Sequence, residues 1–371
     1  MYLTCRYMDL KDAIDIVHLC KDVKFILIDE AQDLSKVQRA IVLTIYQTIK
    51  MLTGTPPRLL MVGDRCQAIY AFNGAAYTSM DDLQRQFSAQ EFTLSTTYRC
   101  PRSHVALANK IIDEMGSQEA RMVCLDTAID GWVERECDFQ HFFKPSHDGS
   151  TVKSVDDKVC YNDVAILSRT NVPLLALRAE LLSRGVQCTM LGKTDLVKQI
   201  LTMFNELKPL STVDLEDKMK KYVGKKQAMF ENRKLKKEVM QDIHDTVACM
   251  KWFIAQYGKS FENLCSEIKE FATDQSPSTD QKSPNSKRSV TLATVHKVKG
   301  LGFDHVYLLQ PKDFPLASVM RKGSEMDRRQ ELNIKYVAYT RSRKGLYVLR
   351  HIDQLWDDPR LWIKSLFDPL M

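Results

Sequence analysis

The feature that most restricts what this chain can fold into is a pair of short, unbroken apolar runs that each stop at an acid. Phe25-Ile26-Leu27-Ile28 ends at Asp29-Glu30, and Arg58-Leu59-Leu60-Met61-Val62 ends at Gly63-Asp64. Apolar runs this short, without alternation, suit strands covered on both faces, as in a parallel sheet. Helical periodicity surrounds them. Leu10, Ala13, Ile14, Val17 and Leu19 precede the first run, and Val37 to Leu52 separates the two. Strands alternating with helices predict a doubly wound α/β layer, whose chemistry gathers at the carboxyl ends of the strands. Asp29-Glu30 and Asp64 stand at such ends.

The same alternation returns downstream. Val164 to Leu167 reads as a strand, 172–184 as a helix and Gln187 to Leu191 as a strand, followed by strand-like runs at Val290–Ala293, Val306–Leu309 and Gly345–Leu349. Between them, 195–274 is helix-like throughout and dense in lysine: Lys218, Lys220, Lys221, Lys225, Lys226, Lys234, Lys236 and Lys237. Two readings of that stretch stay open. Interspersed Asp214, Glu216, Asp217, Glu231 and Glu238 fit a solvated helical face, while the lysine density also fits a nucleic-acid track. Ser276 to Lys287 is rich in Ser, Pro and Lys and reads as a linker.

Composition narrows the class. At 371 residues the chain exceeds the size at which single cores stop growing. A net charge of +6 permits a polyanionic partner without requiring one. The ten cysteines include no pair at CxxC spacing, which argues against a zinc or iron–sulfur site and for reduced core residues in an intracellular, soluble protein. Nucleus and cytoplasm are not distinguished. No apolar run is long enough to span a bilayer and the N-terminus has no signal-like segment, so no membrane role is expected.

The chemistry-bearing residues begin with Asp29-Glu30-Ala31-Gln32-Asp33. Adjacent carboxylates after a buried strand suit a magnesium–nucleotide site, one holding the ion and the next accepting a proton from attacking water. Alone they also suit the acidic start of a helix. Their company is Gly63-Asp64-Arg65-Cys66-Gln67-Ala68-Ile69-Tyr70-Ala71-Phe72-Asn73-Gly74-Ala75. Here Gly63 permits a tight turn, Gln67 can bridge a phosphate to its surroundings, and Tyr70 and Phe72 can stack bases. At this point the chain resembles the superfamily 1 helicases of the UvrD/Rep type, with DExQD and GDxxQxIYxFRGA as motifs II and III. The resemblance runs on in order through Asn-Tyr-Arg-Ser-Pro-like Thr97-Tyr98-Arg99-Cys100-Pro101, Val164 to Asn171, Val290 to Phe303 (motif V) and Glu331 to Arg343 (motif VI). Motif III excludes the DEAD-box and Upf1-like branches.

That resemblance implies an α/β fold of two RecA-like parallel-sheet motor domains, the first incomplete at its N-terminus, with a helical insertion in the second. The expected organisation is 1–125 for the partial first domain, 126–194 for the start of the second, 195–275 for the lysine-rich insertion, 276–289 for the linker and 290–371 for the remainder. It implies ATP and Mg²⁺ as cofactors, single-stranded or partly duplex DNA as partner, 3′-to-5′ translocation, and a place in DNA repair or recombination. Asp29 matches the magnesium-linked aspartate, Glu30 the general base and Gln67 the γ-phosphate sensor. Arg99 and Arg341 match two arginines that stabilise the transferring phosphate from opposite sides of a cleft. Tyr70, Phe72, Thr294 and His296 match positions that touch single-stranded DNA.

The pattern also breaks. The 28 residues before Asp29 contain no glycine and hence no GxxxxGK[ST] loop to cradle the phosphates. Leu191-Gly192-Lys193-Thr194 fails as a substitute because Gln187 stands where the first loop glycine belongs. Asn73 replaces the motif III arginine, and Gly302 the motif V glutamate. Two expectations follow: a truncated piece of an ATP-driven helicase, inactive alone and poorly soluble, or a non-catalytic helicase remnant that binds DNA or a protein.

Overall fold

A run such as Phe25–Ile28 satisfies its backbone only by pairing with a second strand, and the computed structural model supplies one. The structure describes residues 22–70, 78–117, 120–137, 152–155, 158–161, 163–230, 236–273 and 289–350. The chain divides into two compact units, Met1–Thr93 and Leu94–Met371.

In the first unit β1 (Phe25–Ile28) and β2 (Arg58–Met61) pair in parallel, Phe25 opposite Arg58 and Ile28 opposite Met61. The connecting helix, Lys36–Thr53, starts on a capping box: Ser35 N donates to Gln38 Oε1 at 2.8 Å and Gln38 N to Ser35 Oγ at 3.3 Å. It stops at Gly54, whose φ of 74° only glycine adopts without cost. The expectation of strands covered on both faces does not hold here. Phe25, Leu27 and Leu60 are exposed while Ile26, Ile28, Leu59 and Met61 are partly buried. Among the described residues this sheet has two strands, and they are covered on one face only.

In the second unit two short parallel strands, β3 (Thr96–Thr97) and β4 (Val123–Cys124), flank the helix Arg102–Glu114. Next come β5 (Trp132–Cys137) and the antiparallel pair β6 (Val152–Val155) and β7 (Lys158–Tyr161). The main sheet adds β8 (Val164–Ser168), β9 (Cys188–Met190), β10 (Val290–Thr294), β11 (Phe303–Leu308) and β12 (Ser342–Leu349). Its order is β5-β12-β11-β8-β10-β9, and every pairing in it is parallel. This is the mixed α/β, parallel-sheet architecture that the sequence predicts. All five residues of central β8 are buried. The edge strand β5 was not legible as a strand. It joins because Gly345, its partner at Trp132, leaves room for the indole: an added Cβ would lie 2.5 Å from Trp132 Nε1. That nitrogen instead donates to Tyr347 Oη at 2.6 Å.

Residues 94–124, read from the sequence as part of the first domain, pack within the second unit. Arg329 on the helix Glu325–Tyr339 donates to Met115 O and Ser117 Oγ, Lys335 pairs with Glu114 at 3.0 Å, and Tyr336 Oη reaches Met122 Sδ at 3.2 Å.

The lysine-rich stretch forms the helices Thr212–Phe230 and Lys236–Tyr257, between Lys193–Leu207 and Phe261–Thr273. It is more than a solvated face. Leu215, Met219, Met250 and Phe253 are buried in one core with Ile166 and Leu292 of the sheet. Of its lysines, Lys218 pairs with Asp214 at 2.8 Å and Lys226 with Glu206 at 3.4 Å. Lys234, Lys236 and Lys237 carry side chains outside the described residues, as does the linker. No helix of the described residues is long and apolar enough to cross a membrane.

Candidate functional site

In the first unit the acids at the strand ends are joined by side chains. Asp29 and Glu30 follow β1 and are exposed; Glu30 sits at φ 50°, ψ 42°, a left-handed conformation that costs a non-glycine residue roughly 1–3 kcal/mol. Glu30 N donates to Asp29 Oδ1 at 2.9 Å, and the Glu30 carboxylate accepts from Gln32 Nε2. Gln32 is fully buried, and its other end accepts from Asp64 N at 3.0 Å. Asp64 in turn accepts from Cys66 N at 2.8 Å, opening the 3-10 turn Arg65–Gln67, and from Gln67 Nε2 at 2.8 Å. A continuous path therefore runs Glu30, Gln32, Asp64, Gln67. Gly63 is required for it, since an added Cβ would stand 2.3 Å from Gln32 Oε1.

Asp29 and Glu30 offer hard oxygen donors in the open. That donor set fits a magnesium ion that keeps waters and phosphate oxygens in its remaining positions. The described residues form no group of three or more His, Cys, Asp or Glu that would enclose a metal by themselves.

Tyr70 is partly buried. Burial raises its hydroxyl pKa, and the nearby charges of Asp33 and Glu30 add to the effect. Phe72 and Asn73 lie outside the described residues. Arg65, beside Gln67, forks onto Glu91 at 2.6 and 3.1 Å and reaches Asp81 at 2.8 Å. Its hydrogen bond to Glu91 helps raise its own pKa and holds the Glu91 carboxyl below its ordinary range.

The remaining predicted residues belong to the second unit. Arg341 is buried, with Nε on Val337 O at 2.9 Å, Nη1 on Leu301 O at 3.2 Å and Nη2 on Thr340 Oγ1 at 3.0 Å. Arg99 is partly exposed, its Nη2 3.5 Å from Gly300 O. Both predicted arginines are thus carried by the same unit and reach neighbouring carbonyls of one loop, 300–301. Thr294 ends β10 and is buried; His296 follows in the 3-10 turn Val295–Val298 and is partly buried. Loss of solvation, with the Arg169 and Lys297 charges, pushes the His296 pKa down to about 3, so its ring is neutral at pH 7.

Arg169 was missed as a site residue. It directly follows β8 and forks onto buried Glu331, at 2.7 and 3.3 Å. Glu331 also accepts from Leu316 N at 3.1 Å. Asn171, two residues on, donates its N and Nδ2 to Asp245 on the lysine-bearing helix Lys236–Tyr257, at 3.0 and 2.7 Å. Burial lifts the Asp245 carboxyl, and pushes Asp313 up to about 6. The only sequence signal was the Ser-Arg-Thr-Asn that closes the apolar run. Lys193, the lysine of the rejected phosphate loop, is buried with its Nζ 5.5 Å from the Phe271 ring centroid.

Comparison with known proteins finds two domain matches. Residues 2–88 match the UvrD/REP helicase N-terminal domain and residues 202–352 the UvrD-like helicase C-terminal domain. A probable DNA helicase II homolog of Mycoplasma genitalium is 24% identical over 87% of this chain and 54% of its own length. The putative ATP-dependent DNA helicase YjcD of Bacillus subtilis is 24% identical over 87% of this chain and 51% of its own length. The ATP-dependent DNA helicase UvrD1 of Mycobacterium bovis is 28% identical over 46% of this chain and 22% of its own length. The chain spans about half the length of the first two relatives.

Proposed function

We propose, from the matches of 2–88 and 202–352 to UvrD-type helicase domains, that the chain is the catalytic-base and arginine-bearing portion of an ATP-driven 3′-to-5′ translocase on single-stranded DNA. The observation that carries the reading is the hydrogen-bonded path from Glu30 through Gln32 and Asp64 to Gln67. It ties the base to the residue that senses the phosphate, so a change at either is felt at the other. Asp29 would hold a magnesium ion, and Glu30 would accept the proton of the attacking water. The ion, when bound, neutralises charge on the phosphate oxygens.

Arg99 and Arg341 supply donors to the transferring phosphate. Because Arg341 spends three N–H groups on Val337 O, Leu301 O and Thr340 Oγ1, it acts as a preset dipole and charge rather than a mobile finger. Tyr70 and Phe72 stack bases. Thr294 and His296 meet the DNA backbone, His296 as a neutral hydrogen-bonding group. Repair or recombination is the setting such a motor serves.

Residues 1–371 hold no GxxxxGK[ST] loop. The test therefore measures ATP hydrolysis by the chain with and without a phosphate-loop segment joined ahead of it. The loop-bearing form hydrolyses ATP faster when single-stranded DNA is added. A flat baseline with magnesium, ATP and oligonucleotide rejects the reading in favour of binding without hydrolysis.

A further inference from the structure

Two cysteines of the second unit meet beside one threonine. In the parallel pair β3–β4, Cys124 stands opposite Thr97. Residues opposite each other on paired strands send their side chains to the same face of the sheet. The chain then folds back over that face, because Thr97 Oγ1 accepts from Arg99 N and from Cys100 N, each at 3.3 Å. Cys100 and Cys124 therefore share the Thr97 side chain as a neighbour. Burial raises the Cys100 thiol pKa; the Thr97 side chain and the Arg341 and Arg99 charges oppose that rise, and Cys124 is close enough to add to it.

The two thiols differ in access. Cys100 is 4% exposed, and its Sγ donates to Thr340 O at 3.6 Å. Cys124 is partly buried and lines an open cavity of about 670 Å³ between β4 and the helix Arg102–Glu114, with Arg102, Val105, Lys110 and Leu125 among its walls. Neither thiol has a part in the function proposed above. An accessible thiol with a second one close behind it is the arrangement in which a sulfenic acid is captured as a disulfide.

We propose that Cys124 and Cys100 form a reversible disulfide on exposure to a small hydroperoxide, Cys124 being the sulfur oxidised first and Cys100 the one that resolves it. The Cys124 thiolate attacks one peroxide oxygen and the O–O bond breaks. Sulfur is oxidised, and the second oxygen leaves as hydroxide and takes up a proton to become water. The Cys100 sulfur then attacks the sulfenic sulfur, the S–O bond breaks, and the departing hydroxide takes the Cys100 proton as a second water. Two thiols and one hydrogen peroxide thus give one disulfide and two waters, and excess dithiol reverses the bond. Its formation withdraws the Cys100 S–H from the carbonyl of Thr340, the residue ahead of Arg341, and fixes the turn that carries Arg99. A consequence for hydrolysis rests on the function proposed above; the bond itself does not.

The test is peptide mapping of the folded 371-residue chain after brief treatment with hydrogen peroxide, removal of the peroxide by catalase, alkylation of free thiols in urea and tryptic digestion without reductant. Cleavage after Arg99, Arg102, Arg121 and Arg135 isolates 100–102 and 122–135, each with a single cysteine. The wild type yields these two peptides joined, and dithiothreitol before alkylation releases them. Cys124→Ser yields no joined peptide and leaves Cys100 reduced, since that thiol is buried. Cys100→Ser leaves Cys124 as a sulfenic acid, trapped by dimedone. Should a serine variant unfold, wild type treated with peroxide in urea supplies the contrast: joining of 100–102 to 122–135 falls there to the level of other cysteine pairs.

Both thiols still alkylated after peroxide in the folded wild type overturns the proposal, as does Cys124 joined to a different cysteine or equal joining in urea. Oxidation of Cys100 in Cys124→Ser at the wild-type rate overturns the order of the two sulfurs. Joined peptides in a protein without DNA-stimulated hydrolysis leave the disulfide standing and reject the motor. Stimulated hydrolysis with both thiols still free after peroxide does the reverse.

Discussion

Gln32 does more in the first unit than its place between two acids suggests, because one buried amide serves two strand ends at once. Its Nε2 donates to Glu30 and its Oε1 accepts from Asp64 N. Gly63→Ala would put a methyl group 2.3 Å from that Oε1 and 3.2 Å from Ala31 N. Forcing the amide aside should destabilise the first unit by about 1–3 kcal/mol, readable by urea denaturation; a silent substitution would mean that the path is not held as described. His296 makes a pH-dependent contribution in the second unit. Its pKa falls from 6.5 in the unfolded chain to about 3 in the folded one. Stability from this depressed group is therefore complete above about pH 6.5 and is lost as pH falls toward 3, since the unfolded chain takes the proton first. The stability advantage of wild type over His296→Gln should shrink across that window in denaturation at stepped pH, and a constant difference contradicts it. Asp313, lifted to about 6, acts oppositely, its contribution being lost as pH rises from about 4 through 6. Asp29 and Glu30 stand out in the sequence because carboxylates after a strand carry a chemical meaning. Gln32 and Arg169 do not, because their roles lie in partners far away in sequence.

Among the elements, the helix Glu325–Tyr339 has the widest reach. Its buried face carries Glu331, which holds Arg169, and its exposed turn sends Arg329 to the end of the helix Arg102–Glu114. It precedes Arg341, so the position of that arginine and the docking of 94–124 depend on the same element. Arg329→Ala should speed amide exchange in 102–117 by about tenfold, with the 164–168 strand unchanged, in hydrogen-exchange mass spectrometry; uniform exchange would show that the segment is held otherwise. Apart from β5, the strands of the six-stranded sheet were legible because each holds a buried apolar run. The boundary near residue 94 was not, since contacts such as Arg329 with Met115 span more than 200 residues and leave no local pattern. Lysine density likewise hid the apolar stripe of Leu215 and Met219, whose burial makes the helical stretch part of the core rather than an attachment.

For the molecule as a whole, the residues proposed to act fall in two units. The first carries Asp29, Glu30 and Gln67 on a two-stranded sheet; the second carries Arg99, Arg341 and His296 around a six-stranded one. The sheet class follows from the alternation of apolar runs and helical periods, and the resemblance from motif order; residues 2–88 and 202–352 match the UvrD/REP helicase N-terminal and UvrD-like C-terminal domains. The proposed hydrolysis rests on Glu30 as the base that takes the proton of the attacking water, and that is the central claim. Its most direct test is Glu30→Gln in the loop-bearing chain, with hydrolysis of ATP measured in the presence of single-stranded DNA. The account predicts a loss of about 10²–10⁴-fold in rate, the share a general base contributes, with nucleotide binding retained. Hydrolysis undiminished in Glu30→Gln would contradict it.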